Sequence, residues 1–183
     1  TIPANAQPGR YSISGDVLIA GISYGRAMKA AEYDHIRTHR FYRNAQVDFH
    51  VIDLKTSSTK IGYVEGSGDQ VFEAIGNMGF DPEMLSEREL ATGNLSRFDT
   101  IVVGIRAYQV RPDVAANNER LLEFARQGGT LIVQYQLPAY AQQNLLPFPA
   151  QMGPRVADEN AVVKVLLPEH PIFNFPNKIT ESD

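Results

Sequence analysis

The chain of 183 residues contains no cysteine and no tryptophan. Without cysteine there is no disulfide, no thiolate metal site and no cysteine nucleophile. Cationic side chains are in the minority, with 17 Lys and Arg against 21 Asp and Glu and a formal net charge of −4. That balance argues against a nucleic-acid partner, because phosphate recognition relies on clustered Lys and Arg. No stretch approaches the ~18 consecutive apolar residues of a membrane-spanning helix, so no membrane span is expected. Several catalytic signatures are missing as well: GxGxxG, the GxxxxGK[ST] phosphate loop and HExxH do not occur, and no GxSxG or GxCxG stands at residues 134–136. What is present is ordinary for a globular chain, 43% apolar and 21% charged residues, enough to build a core.

Two regions read differently. Residues 1–55 are expected to form an N-terminal arm, polar over 1–8, followed by a β-containing segment. Residues 16–24 (DVLIAGISY) read as one strand, and residues 47–54 (VDFHVIDL) alternate as a half-buried strand does. Between them, residues 31–45 crowd Tyr33, His35, His39, Phe41 and Tyr42 among Arg37, Arg40 and Arg43. His35 and His39 stand four apart, a spacing that on a helix brings two imidazoles onto one face. The intervening Arg37 opposes a cation there, and a basic aromatic packing patch is the reading preferred; no metal site is expected.

Residues 56–183 alternate short apolar runs with helical periodicity. Strands are expected at residues 60–65, 80–85, 100–103, 130–134 and 162–166. Pro82 places the second of these near a sheet edge. Val71, Ala74, Ile75 and Met78 mark one helix face, with Ser67 and Gln70 spaced as a capping box and Gly79 as the stop. A further helix over residues 112–127 turns Leu121, Leu122 and Ala125 inward and ends at Gly128-Gly129, and residues 137–155 read as loop. Such alternation implies βαβ units on a mainly parallel sheet. The expected fold is α/β, a flavodoxin-like three-layer sandwich, with strand order 2-1-3-4-5.

Open α/β sheets bind ligands beyond the carboxyl ends of their strands, where the strand order reverses. Two loops fall there. Glu65, Gly66, Ser67, Gly68 and Asp69 link the first strand to its helix, where backbone N–H groups favour an anion; a tight turn needing glycine explains the same residues. Arg106 and Tyr108 follow the third strand. Arg106 has the chemistry to clamp a carboxylate or phosphate, or equally to pair internally with Asp69 or Glu65. Tyr135 follows the fourth strand, where a hydrolase of this shape would carry its nucleophile; the residues there, Gln134-Tyr135-Gln136, supply neither Ser nor Cys. His170 precedes Pro171 in an extended turn.

Five phrases in order carry a resemblance: YDHIRTHRFY (33–42), KIGYVEGSGD (60–69), LSRFDTIVVGIRAY (95–108), NNERLLEFARQGGTLIVQY (117–135) and EHPIFNFPNKIT (169–180). Together they resemble the C-terminal region of long bacterial LmbE-like (PIG-L) N-acetylglucosaminyl deacetylase-family proteins. That region is similar to class I glutamine amidotransferase-like and trehalose-utilisation (ThuA-like) domains. The resemblance implies a deacetylase module in the same polypeptide and a sugar or other small polar ligand. It does not bring activity with it. The deacetylase His-Pro-x-Asp-Asp type of motif is absent, and the amidotransferase cysteine has no counterpart. The resulting expectation is a non-catalytic accessory or ligand-binding domain without cofactor, its ligand residues being Glu65, Gly66, Ser67, Gly68, Asp69, Arg106, Tyr108, Tyr135 and His170. The alternative is a cysteine-independent hydrolase or sugar-modifying enzyme of ThuA-like type.

Overall fold

The computed structural model describes residues 5–150, 153, 156–158 and 160–180. The first half of the expected N-terminal arm, part of the expected loop over residues 137–155 and the last three residues of the tail lie outside them. The chain divides into two compact units, residues 1–54 and 55–183.

The first unit is built of β1 (Gly9–Ser14), β2 (Val17–Ile19), β3 (Ile22–Tyr24), β4 (Arg26–Tyr33), β5 (Ile36–Asn44) and β6 (Gln46–Val51). They pair antiparallel as β1 with β6, β2 with β3 and β4 with β5. At the junction of the three ribbons the Gly15 N–H donates to the Ala45 carbonyl, and the Ala45 N–H donates to the Gly25 carbonyl, each at 2.8 Å. The strand expected over residues 16–24 is therefore corrected to a hairpin. Ala20 and Gly21 both take positive φ, 48° and 83°. That is the requirement of the two-residue turn whose twist matches its strands. Alanine gives no sequence signal for it, so an unbroken apolar run conceals the reversal. The helical spacing of His35 and His39 is likewise corrected. His35 sits in the β4–β5 turn and His39 lies on β5 opposite Ala31. No described residue of this unit is buried.

The second unit is mixed α/β: β7 (Ile61–Val64), α1 (Val71–Asn77), β8 (Pro82–Met84), α2 (Glu87–Thr92), β9 (Thr100–Val103), α3 (Ala107–Val110), α4 (Pro112–Ala116), α5 (Asn118–Arg126), β10 (Thr130–Val133) and α6 (Ala139–Gln142). Its sheet is wholly parallel in the order β10-β9-β7-β8. β7 and β9 are central neighbours in the register Ile61↔Thr100, and β8, with its proline, is at the edge. Four strands of the expected order 2-1-3-4-5 are in place. The fifth is not: residues 162–166 carry no strand, and Val162 is 90% exposed. β-Branched residues signal a strand only in so far as a pleated neighbour receives them, and this segment has none. The expected loop over 137–155 contains the short helix α6.

Alternation along the central strands divides the core. Ile61, Tyr63 and Val102 pack with Ile75 of α1, together with Val71, Phe72 and Phe80. Val64, Ile101 and Val103 pack with Leu90, Val114, Leu121 and Phe124 of the remaining helices. The capping box expected at Ser67 and Gln70 does not form. Gln70 caps α1 by position alone, and the Val71 N–H is received at 3.0 Å by Asp69 Oδ1. A reciprocal capping box occurs on α2, between Ser86 and Glu89, where the Ser-x-x-Glu spacing was present in the sequence.

Candidate functional site

The carboxyl ends of β7, β9 and β10 are followed by three loops that hydrogen-bond to one another. The Ser67 N–H donates to the Ile105 carbonyl at 2.8 Å, closing the β7 loop against the β9 loop. This approach leaves no room for a side chain at Gly66, whose Cβ would collide with the Ile105 carbonyl. The Arg106 N–H donates to the Tyr135 carbonyl at 2.9 Å and ties in the third loop. Below it the buried Gln136 amide donates to the carbonyls of Gly104 and Gln134, while its Oε1 accepts the Tyr108 N–H at 3.2 Å. One amide side chain thus satisfies backbone groups of two loops, as buried polar groups require.

The carboxylate of Asp69 is consumed by this framework. It accepts the Tyr63 hydroxyl and the Val71 N–H on one oxygen and the Ile105 N–H on the other. Burial, and then the hydrogen bond from this neutral hydroxyl to Asp69, push the Tyr63 hydroxyl well above the ordinary tyrosine range. A negative neighbour opposes loss of the phenolic proton. Tyr108 is also internal. It is 9% exposed, its hydroxyl donates to Asn118 Oδ1 at 2.6 Å, and its ring lies 4.5 Å from that of Tyr140. Burial raises its pKa strongly as well.

Arg106 behaves differently. It stands in the left-handed region, φ 54° and ψ 21°, at the turn from β9 into α3. Glycine or asparagine is the usual occupant of that conformation, and a long side chain there carries strain of ~1–2 kcal/mol. Its guanidinium is exposed, makes no ion pair among the described residues, and lies 6.0 Å from the centre of the Tyr135 ring. The internal pairing with Asp69 or Glu65 considered from the sequence is absent. A sharp strand-to-helix turn follows the third strand, with Arg106 at its apex. Arginine at that position offers charge and five N–H donors but no nucleophile.

Glu65 and Ser67 are exposed beside this turn, and Gly68 adopts φ 72°. Tyr135, 46% exposed, also borders a groove of about 700 Å³ along β10, lined by Val133, Gln134, Tyr140, Leu146 and Phe148. The buried Oε1 of Gln134 has no hydrogen-bond partner. His170 is not brought to this edge. It precedes a 3₁₀ turn at residues 171–173, where its Nδ1 accepts the Ile172 N–H at 3.3 Å. Among the described residues no group of three or more His, Asp or Glu is placed to hold a metal ion, and no helix is long and apolar enough to cross a membrane. Residues 65–69, Arg106 and Tyr135 therefore meet at the strand ends; Tyr108 supports them from the core, and His170 stands apart. Tyr63, Gln136 and Asn118 escaped sequence reasoning because their partners are 6, 32 and 10 residues away. No family model, curated protein or solved structure matches the chain.

Proposed function

We propose that the second unit is a non-catalytic, amidotransferase-like accessory domain of ThuA-like type. Its architecture is read as a flavodoxin-like three-layer sandwich working alongside an LmbE-like deacetylase module in one polypeptide. Its ligand is a polyhydroxylated, weakly acidic small molecule such as an acidic sugar. The observation that carries this reading is Arg106. A strained left-handed residue is retained where the surrounding structure imposes it, and such outliers gather at functional sites. Here the strained residue is a long cation with no ion-pair partner among the described residues, at the β7–β9 position where the strand order reverses. An anionic group of the ligand meets the guanidinium, and a ring face meets Tyr135. A nucleotide is less well served, since Arg106 is the one cation of residues 65–69, 104–108 and 134–136. No observation favours the hydrolase alternative, which would draw on Glu65, Arg106, Tyr108 and His170.

The test is titration of galacturonate, glucuronate and neutral sugars into the native chain and into Arg106→Ala, followed by backbone chemical shifts. Binding of the acidic sugars is expected to fall by ~1.5–3 kcal/mol in the variant, the worth of a charge-assisted hydrogen bond, with the melting temperature little changed. Equal binding by both proteins, or no binding by either, removes this reading.

A further inference from the structure

The first unit carries a second charged feature, independent of the sheet edge. The β4–β5 hairpin holds five cations, Arg26, Lys29, Arg37, Arg40 and Arg43, against two acids, Glu32 and Asp34. None of the five takes part in an ion pair or side-chain hydrogen bond among the described residues. In the second unit, by contrast, Arg97, Arg111 and Arg126 are paired with carboxylates and Arg120 is bound to backbone carbonyls. Pairing register decides which hairpin residues share a face. Arg43 lies opposite Ala27, Phe41 opposite Lys29 and His39 opposite Ala31. Successive residues of a strand point to opposite sides, so His39, Phe41 and Arg43, with Lys29, stand on one side of the ribbon, while the register shift between Ala31 and Tyr33 puts Ile36 rather than Arg37 beside them. Phe41 is 58% exposed between them. Along β5 the face therefore reads imidazole, ring, cation at two-residue intervals of about 6.8 Å, with Lys29 across from the ring.

We propose that this face binds a linear acidic polysaccharide. A uronate-type sugar offers a carboxylate to Arg in bidentate geometry and an apolar C–H face to a phenyl ring. Phe41, with Lys29 across from it and Arg43 two residues on, serves both for one chain. Nucleic acid fits less well. Its successive bases require successive stacking rings, and this face has one.

The experiment uses the whole chain with polygalacturonate oligomers, neutral dextran, single-stranded DNA and vesicles containing an anionic phospholipid. It compares the native protein, the double variant Lys29→Ser/Arg43→Ser, Phe41→Ala, and Arg10→Ser as a control that removes a cation elsewhere in the unit. The expected result is saturable binding of polygalacturonate, weakened by salt. That binding falls at least tenfold in the double variant and several-fold in Phe41→Ala, changes less than twofold in Arg10→Ser, and has no counterpart with dextran. Circular dichroism verifies that each variant keeps its strand content. Absence of polygalacturonate binding, equal loss in Arg10→Ser, or tighter binding of DNA or vesicles overturns the proposal. Arg106→Ala leaves polymer binding intact, which separates this face from the sheet-edge site.

Discussion

The two units use β-structure in opposite ways. In the second, β7 is buried along its whole length, from Ile61 to Val64, and β9 is buried from Ile101 to Val103. Each strand end there is held by long-range contacts. In the first unit six strands form three separate ribbons with every described residue at least partly exposed. Its outer ribbon is nonetheless amphipathic. Tyr11, Ile13, Val47, Phe49 and Val51 share one side of the β1–β6 pair, and Ser12, Asp48 and His50 the other. The difference teaches that hydrogen-bonded pairing and core formation are separable. A two-stranded ribbon satisfies its backbone but is marginal alone in water, whereas burial between sheet and helices supplies cooperativity.

The sharpest way to break this contrast is to remove an apolar side chain from each unit. Leu121 is fully buried, and Leu121→Ala is expected to cost ~2–5 kcal/mol in denaturant unfolding. Ile13, 61% exposed, is expected to cost under ~0.5 kcal/mol on the same substitution. Similar losses at both positions would show that the first unit buries its apolar side. A second, smaller effect separates framework from ligand residues at the sheet edge. Asp69→Asn weakens the acceptor for Tyr63, Val71 and Ile105, and a loss of ~1–3 kcal/mol is expected by thermal unfolding. An unchanged melting temperature would remove Asp69 from the framework.

A still smaller effect is electrostatic. Hydrogen bonds from the Ser86 N–H and hydroxyl hold the Glu89 carboxyl below its ordinary 4.5. A carboxylate depressed in the folded state contributes stability that is present above the unfolded value. That contribution is lost as the pH falls through the folded one. Stability is therefore expected to decline below about pH 4.5, and Glu89→Gln should flatten that part of the profile. The reverse sign holds for Tyr63. Its raised pKa favours the folded state up to the ordinary tyrosine value of 10.0, and the contribution fades above it. A Glu89→Gln profile identical to that of the native protein from pH 3 to 6 would remove the capping box as the source of that acid sensitivity.

Periodicity carried much of the second unit. Val71, Ala74, Ile75 and Met78 marked α1, of which Val71 and Ile75 turn inward while Ala74 and Met78 are exposed, and the β-branched run 100–103 marked β9 because burial imposes composition on such a segment. The same reasoning merged β2 and β3, since the Ala20-Gly21 turn lies inside an apolar run, and it assigned a strand at 162–166 where there is no neighbour to pair with. At the sheet edge, sequence placed residues 65–69 and Arg106 correctly because loops after parallel strands converge by topology. It did not separate Asp69 and Tyr108, which are held internally, from Arg106, which is not. That distinction depends on contacts such as Asp69 with Ile105 and Tyr108 with Asn118, and on a backbone angle at residue 106 that an arginine does not advertise.

Arg106→Gly examines this distinction most directly. Glycine adopts the left-handed turn without strain, so the substitution removes the guanidinium and relieves the backbone in one step. The greater freedom of glycine in the unfolded chain offsets that relief, leaving a net stability change within ~1 kcal/mol. If the turn is held for the sake of its side chain, the variant melts at or near the native temperature and no longer binds galacturonate or glucuronate. A variant that melts many degrees lower while binding those sugars as the native protein does would contradict the account.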